Sequence, residues 1–317
     1  MTRIAITGAN GYLASLVQTY NAGTFDFIRV SRSDVDYADL NGLRSYFEAL
    51  DFDILFHTAA NATTADCEND PAGTHRVNCE AAIELGRICH ERGKRMIFIS
   101  TEQIYNGKHE PGPFSESVEA ESVTNYGKQK AEVDAWMRAT MSDYVILRLS
   151  WMFGMALPHV KPSPGIVGNV VRALRTNTPT LFTVNEKRCM TYAQHLADQF
   201  AAICELPSGA YNFASSNDLC TYDAARVVAG KLVSAGIATP TPSSAAFSRI
   251  PSATPTGSAT SASTTAKPLP PGSNSGHLKR TSTAASRISA GCRLFAAGNA
   301  TECNSEVARE ASCQTND

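Results

Sequence analysis

The chain lacks several features that mark particular classes of protein. Its 317 residues carry a net charge of only −2, so no excess of positive charge favours nucleic acid or an anionic membrane as partner. No apolar run is long enough for a transmembrane helix. Nine cysteines occur without a Cys-x-x-Cys pair, and no His-x-x-x-His pattern is present, so we assign no metal and no disulfide framework. We expect a cytoplasmic protein with reduced thiols.

The C-terminal quarter is poor in acidic and large apolar residues. Ser, Thr, Ala, Pro and Gly dominate from residue 239, and no acidic residue occurs between Asp223 and Glu302. Such a composition buries too little apolar surface to offset the entropy of ordering. We therefore expect residues 239–317 to form a disordered, low-complexity tail. Two interpretations stay open: a natural flexible tail, or a non-native reading frame joined to an ordinary protein body.

The first 238 residues alternate between strand and helix patterns. Strand patterns cover residues 3–7, 27–30, 54–57, 95–100 and 144–149, and helical patterns cover residues 40–49, 71–92, 126–141 and 222–235. Alternation at this spacing predicts right-handed crossovers and a parallel sheet covered on both faces. The predicted fold class is therefore α/β, with a Rossmann-type doubly wound sheet.

A glycine-rich turn lies between the first strand and the first helix. Gly8, Gly11 and Ala14 form a Gly-x-x-Gly-x-x-Ala pattern, in which glycine lets phosphate approach the backbone and the helix N-terminus favours anions. The pattern predicts a dinucleotide site whose contacts are Gly8, Asn10, Gly11, Tyr12 and Leu13.

The end of the second strand bears on the choice of cofactor. Ser31 and Arg32 stand where an acidic residue would bind the adenosine 2′-hydroxyl, and Arg32 could instead pair with a 2′-phosphate. An alternative is that Arg32 is a solvated loop residue. Asp39 and Leu40 could reach the adenine edge, or Asp39 could cap the following helix. We expect NADPH or NADH as cofactor, with NADPH slightly favoured.

Tyr126 and Lys130 lie four positions apart on one face of a predicted helix. A phenol has a pKa near 10, so it exchanges protons near neutrality only when its phenolate is stabilised, as a neighbouring ammonium can do. Ser100 and Thr101 end an apolar strand at the carboxyl edge of the sheet, where ligands of such sheets bind. A hydroxyl there can donate a hydrogen bond to a substrate carbonyl.

These elements resemble the extended short-chain dehydrogenase/reductase family, in particular the dTDP-4-dehydrorhamnose reductases and their sugar-nucleotide-binding relatives. The resemblance spans about residues 1–235. Besides the glycine turn, it rests on residues 57–60, 66–68, 77–78, 99–107, 125–130, 147–151 and 190–198.

The resemblance implies roles for individual residues. Thr101 would polarise the substrate carbonyl, Tyr126 would donate the proton, and Lys130 would hold the ribose and lower the pKa of the tyrosine. Further contacts would be Ala59 and Ala60 to the cofactor, and Ser100, Glu102 and Trp151 to the substrate. The sequence departs from the family pattern where Glu102 replaces the usual Asp and where residues 185–188 read Asn-Glu-Lys-Arg. His57 is expected to be a packed core residue.

The implied organisation has three parts. Residues 1–150 form an NAD(P)-binding domain, residues 151–238 complete the sheet and form a small, incomplete substrate lobe, and residues 239–317 form the tail. The implied activity is reduction of a 4-keto group on a nucleotide-linked deoxyhexose. Two alternatives stay open: an NAD-dependent nucleotide-sugar epimerase or dehydratase, and a non-catalytic nucleotide-binding regulatory subunit. The family also suggests a homodimer.

Overall fold

The computed structural model describes residues 1–162, 165–176, 180–237 and 247–250. Six strands form a parallel sheet in the order β2-β1-β3-β4-β5-β9. Their bounds are β1 Arg3–Thr7, β2 Asp26–Val30, β3 Ile54–His57, β4 Arg95–Thr101, β5 Tyr144–Leu149 and β9 Gly209–Phe213. The predicted α/β class and Rossmann-type sheet are thereby confirmed.

Helices cover both faces of this sheet because its central strands are apolar on both sides. They are α1 Tyr12–Tyr20, α2 Leu40–Ala49, α3 Thr64–Asn69, α4 Pro71–His75, α5 Ala81–Glu91, α6 Asn125–Thr140, α7 Gly165–Thr176, α8 Ala193–Asp198, α9 Phe200–Cys204 and α10 Thr221–Ser234. One core cluster joins the sheet to α1, α8 and α9, and the second joins it to α2, α5 and α6. No helix among the described residues is long and apolar enough to cross a membrane.

The helix predicted over residues 71–92 is not uniform. A π-helical turn, Arg76–Glu80, separates α4 from α5. The wider turn places one more residue per turn than an α-helix would, so it changes which side chains face the sheet. Asn78 lies at its centre and is fully buried.

A smaller lobe follows the fifth sheet strand. It contains two parallel pairs, β6 Trp151–Phe153 with β8 Met190–Tyr192, and β7 Thr180–Thr183 with β10 Phe247–Ile250. Phe247 is 3% exposed and packs edge-on against Phe182, with ring centroids 5.4 Å apart. The expectation of disorder from residue 239 is therefore wrong for residues 247–250, because one aromatic side chain completes the core of this lobe. The rest of the predicted tail lies outside the described residues.

Candidate active site

The glycine turn has the geometry needed to receive a phosphate. Gly8 has a φ of +62°, and a Cβ atom there would come within 3.1 Å of the Ala59 backbone. The Gly11 N–H donates to the Gly8 carbonyl at 2.7 Å, which closes the turn. Gly11 is also the N-cap of α1 and has no side chain to occupy the first amides of the helix. The turn therefore fits a pyrophosphate bound by backbone N–H groups.

The other predicted cofactor contacts divide into two groups. Tyr12 and Leu13 are buried in the first turn of α1, and Ala60 follows β3 at the same sheet edge as the glycine turn. Asp39 caps α2 by accepting a hydrogen bond from the Gly42 amide at 3.1 Å, so the capping interpretation is confirmed. Leu40 packs partly buried against the core below α2.

The loop after β2 is organised around Asp34. Its carboxylate accepts from the Ser31 amide at 2.8 Å and from the Ser31 hydroxyl at 2.7 Å, and these bonds lower the pKa of Asp34. Arg32 is exposed, and no contact described in residues 1–162 engages its guanidinium. Sequence reasoning missed Arg29, which donates to the Asn10 side chain at 2.8 Å and so lies beside the glycine turn.

The three predicted catalytic side chains are buried at the carboxyl edge of β4. Thr101 ends the strand, and Tyr126 and Lys130 lie on the first turns of α6. The Lys130 ammonium donates to the Ile99 carbonyl at 2.9 Å and lies 6.0 Å from the centre of the Tyr126 ring. The helix can approach the turn that follows β4 this closely because Gly127 has no side chain: a Cβ there would lie 2.5 Å from the Gln103 carbonyl oxygen.

Burial dominates the proton affinities at this site. It raises the pKa of Tyr126, with a further contribution from the Glu102 carboxylate. Burial also lowers the pKa of Lys130 to about 8. The phenol therefore keeps its proton near neutral pH, while the ammonium stays largely charged. This is the protonation state of a proton donor beside a cation.

His57 is a packed core residue, as expected. Its Nδ1 shares a hydrogen bond of 2.8 Å with the Thr7 hydroxyl, and its ring stacks on Phe98. Burial, and then the Lys130 charge, lower its pKa to about 3. The imidazole is therefore neutral and does not serve as an acid near pH 7.

Two of the predicted substrate residues, Glu102 and Trp151, contact the charged side chain of Arg188, which was not predicted to belong to the site. Arg188 lies 3.9 Å from the Glu102 carboxylate, pairs with Glu186, and stacks its guanidinium 5.6 Å from the centre of the Trp151 ring. The two departures from the family pattern, at Glu102 and at residues 185–188, thus contact each other. Burial raises the pKa of Glu102, and Arg188 opposes that rise.

The hydroxyl groups of Ser100 and Thr101 differ in their hydrogen bonds. Successive residues of a strand point to opposite faces. The Thr101 hydroxyl donates to the Glu102 carboxylate at 3.3 Å and accepts from the Gln103 amide, whereas the buried Ser100 hydroxyl has no hydrogen-bond partner among the residues that the structure describes. A substrate role for Ser100 stays a prediction.

Asn78 is a further polar residue near the site, and sequence reasoning did not single it out. Its side chain accepts from the Asn61 amide at 2.7 Å and donates to Gln129 at 2.8 Å. Gln129 precedes Lys130 on α6. Asn78 therefore joins the π-helical turn to the helix that carries Tyr126 and Lys130, the predicted catalytic pair. The one indication of Asn78 in the sequence was that residues 77–78 are among the stretches that resemble the reductase family.

The sequence matches the RmlD substrate binding domain over residues 1–270. The chain belongs to this family. The match extends past residue 235, where the resemblance read from the sequence ended. It confirms the predicted relationship to dTDP-4-dehydrorhamnose reductases and their sugar-nucleotide-binding relatives.

Individual relatives of this RmlD-family chain are distant. It is 24% identical over 229 residues to the spore coat polysaccharide biosynthesis protein SpsK of Bacillus subtilis, covering 72% of this chain and 78% of that protein. It is 25% identical over 229 residues to the dTDP-4-keto-6-deoxy-D-glucose reductase of Streptomyces niveus, covering 71% and 77%.

Solved structures share the fold at still lower identity. The dTDP-4-dehydrorhamnose reductase of Bacillus anthracis, in complex with NADP, superposes with a TM-score of 0.68 at 18% identity, covering 80% of this chain and 86% of that one. The UDP-glucose 4-epimerase of Thermotoga maritima gives a TM-score of 0.68 at 16% identity, covering 83% and 90%. The fold alone therefore does not distinguish a reductase from an epimerase.

Proposed function

We propose that the chain is an NAD(P)H-dependent reductase that acts on the 4-keto group of a nucleotide-linked deoxyhexose. The observation that carries the proposal is the buried cluster of Thr101, Tyr126 and Lys130 at the carboxyl edge of the sheet. Family membership supports the substrate class, since the relatives that name a substrate are reductases of dTDP-linked keto sugars.

The residues present fit a dinucleotide. A Cβ at Gly8 would crowd the Ala59 backbone and one at Gly11 would crowd the Gly8 carbonyl, so glycine at both positions lets the turn close tightly. Ala59 and Ala60 line the adjoining edge. Lys130 would hold a ribose hydroxyl, since its ammonium has donors beyond the one that engages the Ile99 carbonyl. When bound, NADPH or NADH would supply the hydride that reduces the carbonyl carbon.

Each catalytic side chain then has a defined task. The Thr101 hydroxyl donates a hydrogen bond to the substrate carbonyl oxygen and polarises it. Tyr126, which burial keeps protonated, transfers its phenolic proton to that oxygen as it becomes a hydroxyl. The Lys130 ammonium stabilises the phenolate that remains. Glu102 and Trp151 would contact the sugar.

The test is substrate-dependent oxidation of NADPH or NADH, followed by absorbance, with a dTDP-linked 4-keto-6-deoxyhexose. Tyr126→Phe should lower kcat by about 10²–10⁴, the usual contribution of general acid catalysis, while cofactor affinity is retained. Tyr20→Phe is the matched control, because Tyr20 is an exposed tyrosine at the end of α1. Turnover by Tyr126→Phe within a few-fold of wild type would refute the proton-donor role.

The same measurements separate the alternatives. An epimerase would retain NAD⁺ through purification and interconvert sugars without net oxidation of added cofactor. A regulatory subunit would bind nucleotide without turnover. The joint presence of Thr101, Tyr126 and Lys130 in one buried cluster argues for catalysis over a purely regulatory role.

A further inference from the structure

A second group of reactive side chains lies on the helices beside the active site. His75 and Cys79 are four positions apart across the junction of α4 and the π-helical turn, and Glu132 faces them from α6. The imidazole, thiol and carboxylate ligand atoms all lie within 4.8 Å of one another. The His75 Nε2 and the Glu132 carboxylate are 3.0 Å apart.

The surroundings of this cluster resemble those of a metal site. The Nδ1 of His75 faces the Glu80 carboxylate at 3.4 Å, and Arg76 holds Glu80 from the other side, also at 3.4 Å. A carboxylate behind a ligating imidazole fixes its orientation and its tautomer. Cys79 is fully buried, whereas the Glu132 side chain is 53% exposed. The Cys79 thiol thus lies in the protein interior, and an ion could reach the cluster from solvent on the side of Glu132.

We propose that His75, Cys79 and Glu132 bind a divalent transition metal, with zinc as the best match. One nitrogen, one sulfur and one oxygen ligand suit zinc, whereas magnesium and calcium require oxygen ligands. A thiolate and a carboxylate would neutralise the two charges of the ion. Water would fill the fourth tetrahedral position on the exposed side.

Binding replaces one set of bonds by another. The Cys79 thiol loses its proton to solvent and forms the sulfur–metal bond. The hydrogen bond between the His75 Nε2 and Glu132 is broken, the Nε2 proton leaves to solvent, and the neutral imidazole keeps its other proton on the Nδ1 that faces Glu80, so that Nε2 and the Glu132 carboxylate bind the ion. No electron transfer is involved. The ion would join the helix segment that carries Asn78 to the helix that carries Lys130, so it should stabilise the packing of these elements.

This cluster contains neither a His-x-x-x-His nor a Cys-x-x-Cys pattern, so no metal site was indicated by the sequence. The proposed set has a His-x-x-x-Cys spacing on one segment and takes its third ligand from a different helix. Only the packing of α6 against the π-helical turn brings that ligand into reach. The set is independent of the proposed reductase activity.

The test uses the full chain, freed of metal by a chelator and titrated with zinc against a chromophoric indicator. The expected result is one zinc per chain and a higher unfolding temperature. His75→Gln and Glu132→Gln should each weaken zinc binding about tenfold or more, since even changes to the groups around a metal's ligands have effects of that size. His90→Gln and Cys220→Ser are the controls: His90 is exposed, Cys220 is a half-buried thiol, and neither belongs to the cluster. Both should bind as wild type does.

Cobalt gives a direct readout of the sulfur ligand. Cobalt-loaded wild type should show a thiolate-to-cobalt charge-transfer band, and Cys79→Ala should lack it. If Cys79→Ala does not fold, the two surface variants decide the question, since His75 and Glu132 lie at least partly in solvent. Absence of stoichiometric zinc binding, or equal affinity in the folded variants and wild type, would overturn the proposal.

Discussion

Burying Lys130 has a cost that can be measured. The ammonium is 3% exposed, and burial lowers its pKa from 10.5 to about 8. At about 1.4 kcal/mol for each tenfold change in proton binding, the folded state loses about 3 kcal/mol relative to an unperturbed lysine. Lys130→Met removes this cost but also removes the hydrogen bond to the Ile99 carbonyl, worth about 1 kcal/mol. We expect the variant to be about 2 kcal/mol more stable than wild type at pH 7 and inactive.

The pH dependence identifies the cause. Because the unfolded chain binds the Lys130 proton more tightly, wild-type stability gains from this group as pH rises from about 8 to 10.5. The advantage of Lys130→Met should therefore fall by about 2–3 kcal/mol between pH 7 and pH 10 in urea unfolding without cofactor. Groups in this range that do not interact with Lys130 cancel in the difference. Lys128→Met, at an exposed lysine of the same helix, should show no such change. A pH-independent difference for Lys130→Met would refute the reasoning.

Three further predictions concern the cofactor, the small lobe and the substrate pocket. Arg32→Ala should raise the Kd for NADPH about tenfold or more and leave that for NADH nearly unchanged, since a charge-assisted phosphate contact is worth about 1.5–3 kcal/mol; equal effects in fluorescence titrations would contradict this. Phe247→Ala should cost about 3–5 kcal/mol in urea unfolding, because it empties a buried aromatic site, whereas Leu181→Ala, 58% exposed on β7, should cost little. Arg188→Met should raise the pKa of Glu102 further, because the positive charge that opposes the effect of burial is removed. The acid limb of the pH profile of kcat/KM should then move to higher pH, and an unmoved limb would show that Glu102 does not control it.

The central sheet could be predicted from the sequence because its signals are local. The strand bounds at residues 3–7, 54–57 and 144–149 agree with the structure, since short apolar runs between turn residues suffice to define a buried strand. The positions of Thr101, Tyr126 and Lys130 at a strand end and a helix start could be predicted in the same way, whereas their catalytic roles stay a prediction. The glycine turn needed only its neighbours in the chain.

The features that were missed depend on contacts distant in sequence. The π-helical turn at Arg76–Glu80 is held by Asn78, whose partners Asn61 and Gln129 come from other segments. Apolar periodicity reports only the average helical repeat, so it cannot reveal one wider turn. The strand containing Phe247 was hidden because average composition over a long stretch outweighs a single aromatic residue.

Burial of Tyr126 sets the protonation state that a proton donor needs before a reduction. In a reduction the proton donor must be protonated before the reaction, and burial of Tyr126 provides that state. An oxidation requires Tyr126 to act as a base, so it must first lose a proton that its surroundings hold tightly. The pKa of Lys130, lowered by burial to about 8, shows that the same surroundings also disfavour the charge of the ammonium. Glu102 adds negative charge near the phenol and raises the pKa of Tyr126 further. These effects suit a proton donor at the start of a reduction, and retention of NAD⁺ through purification is the observation that separates a reductase from an epimerase, whose cycle begins with oxidation of the sugar.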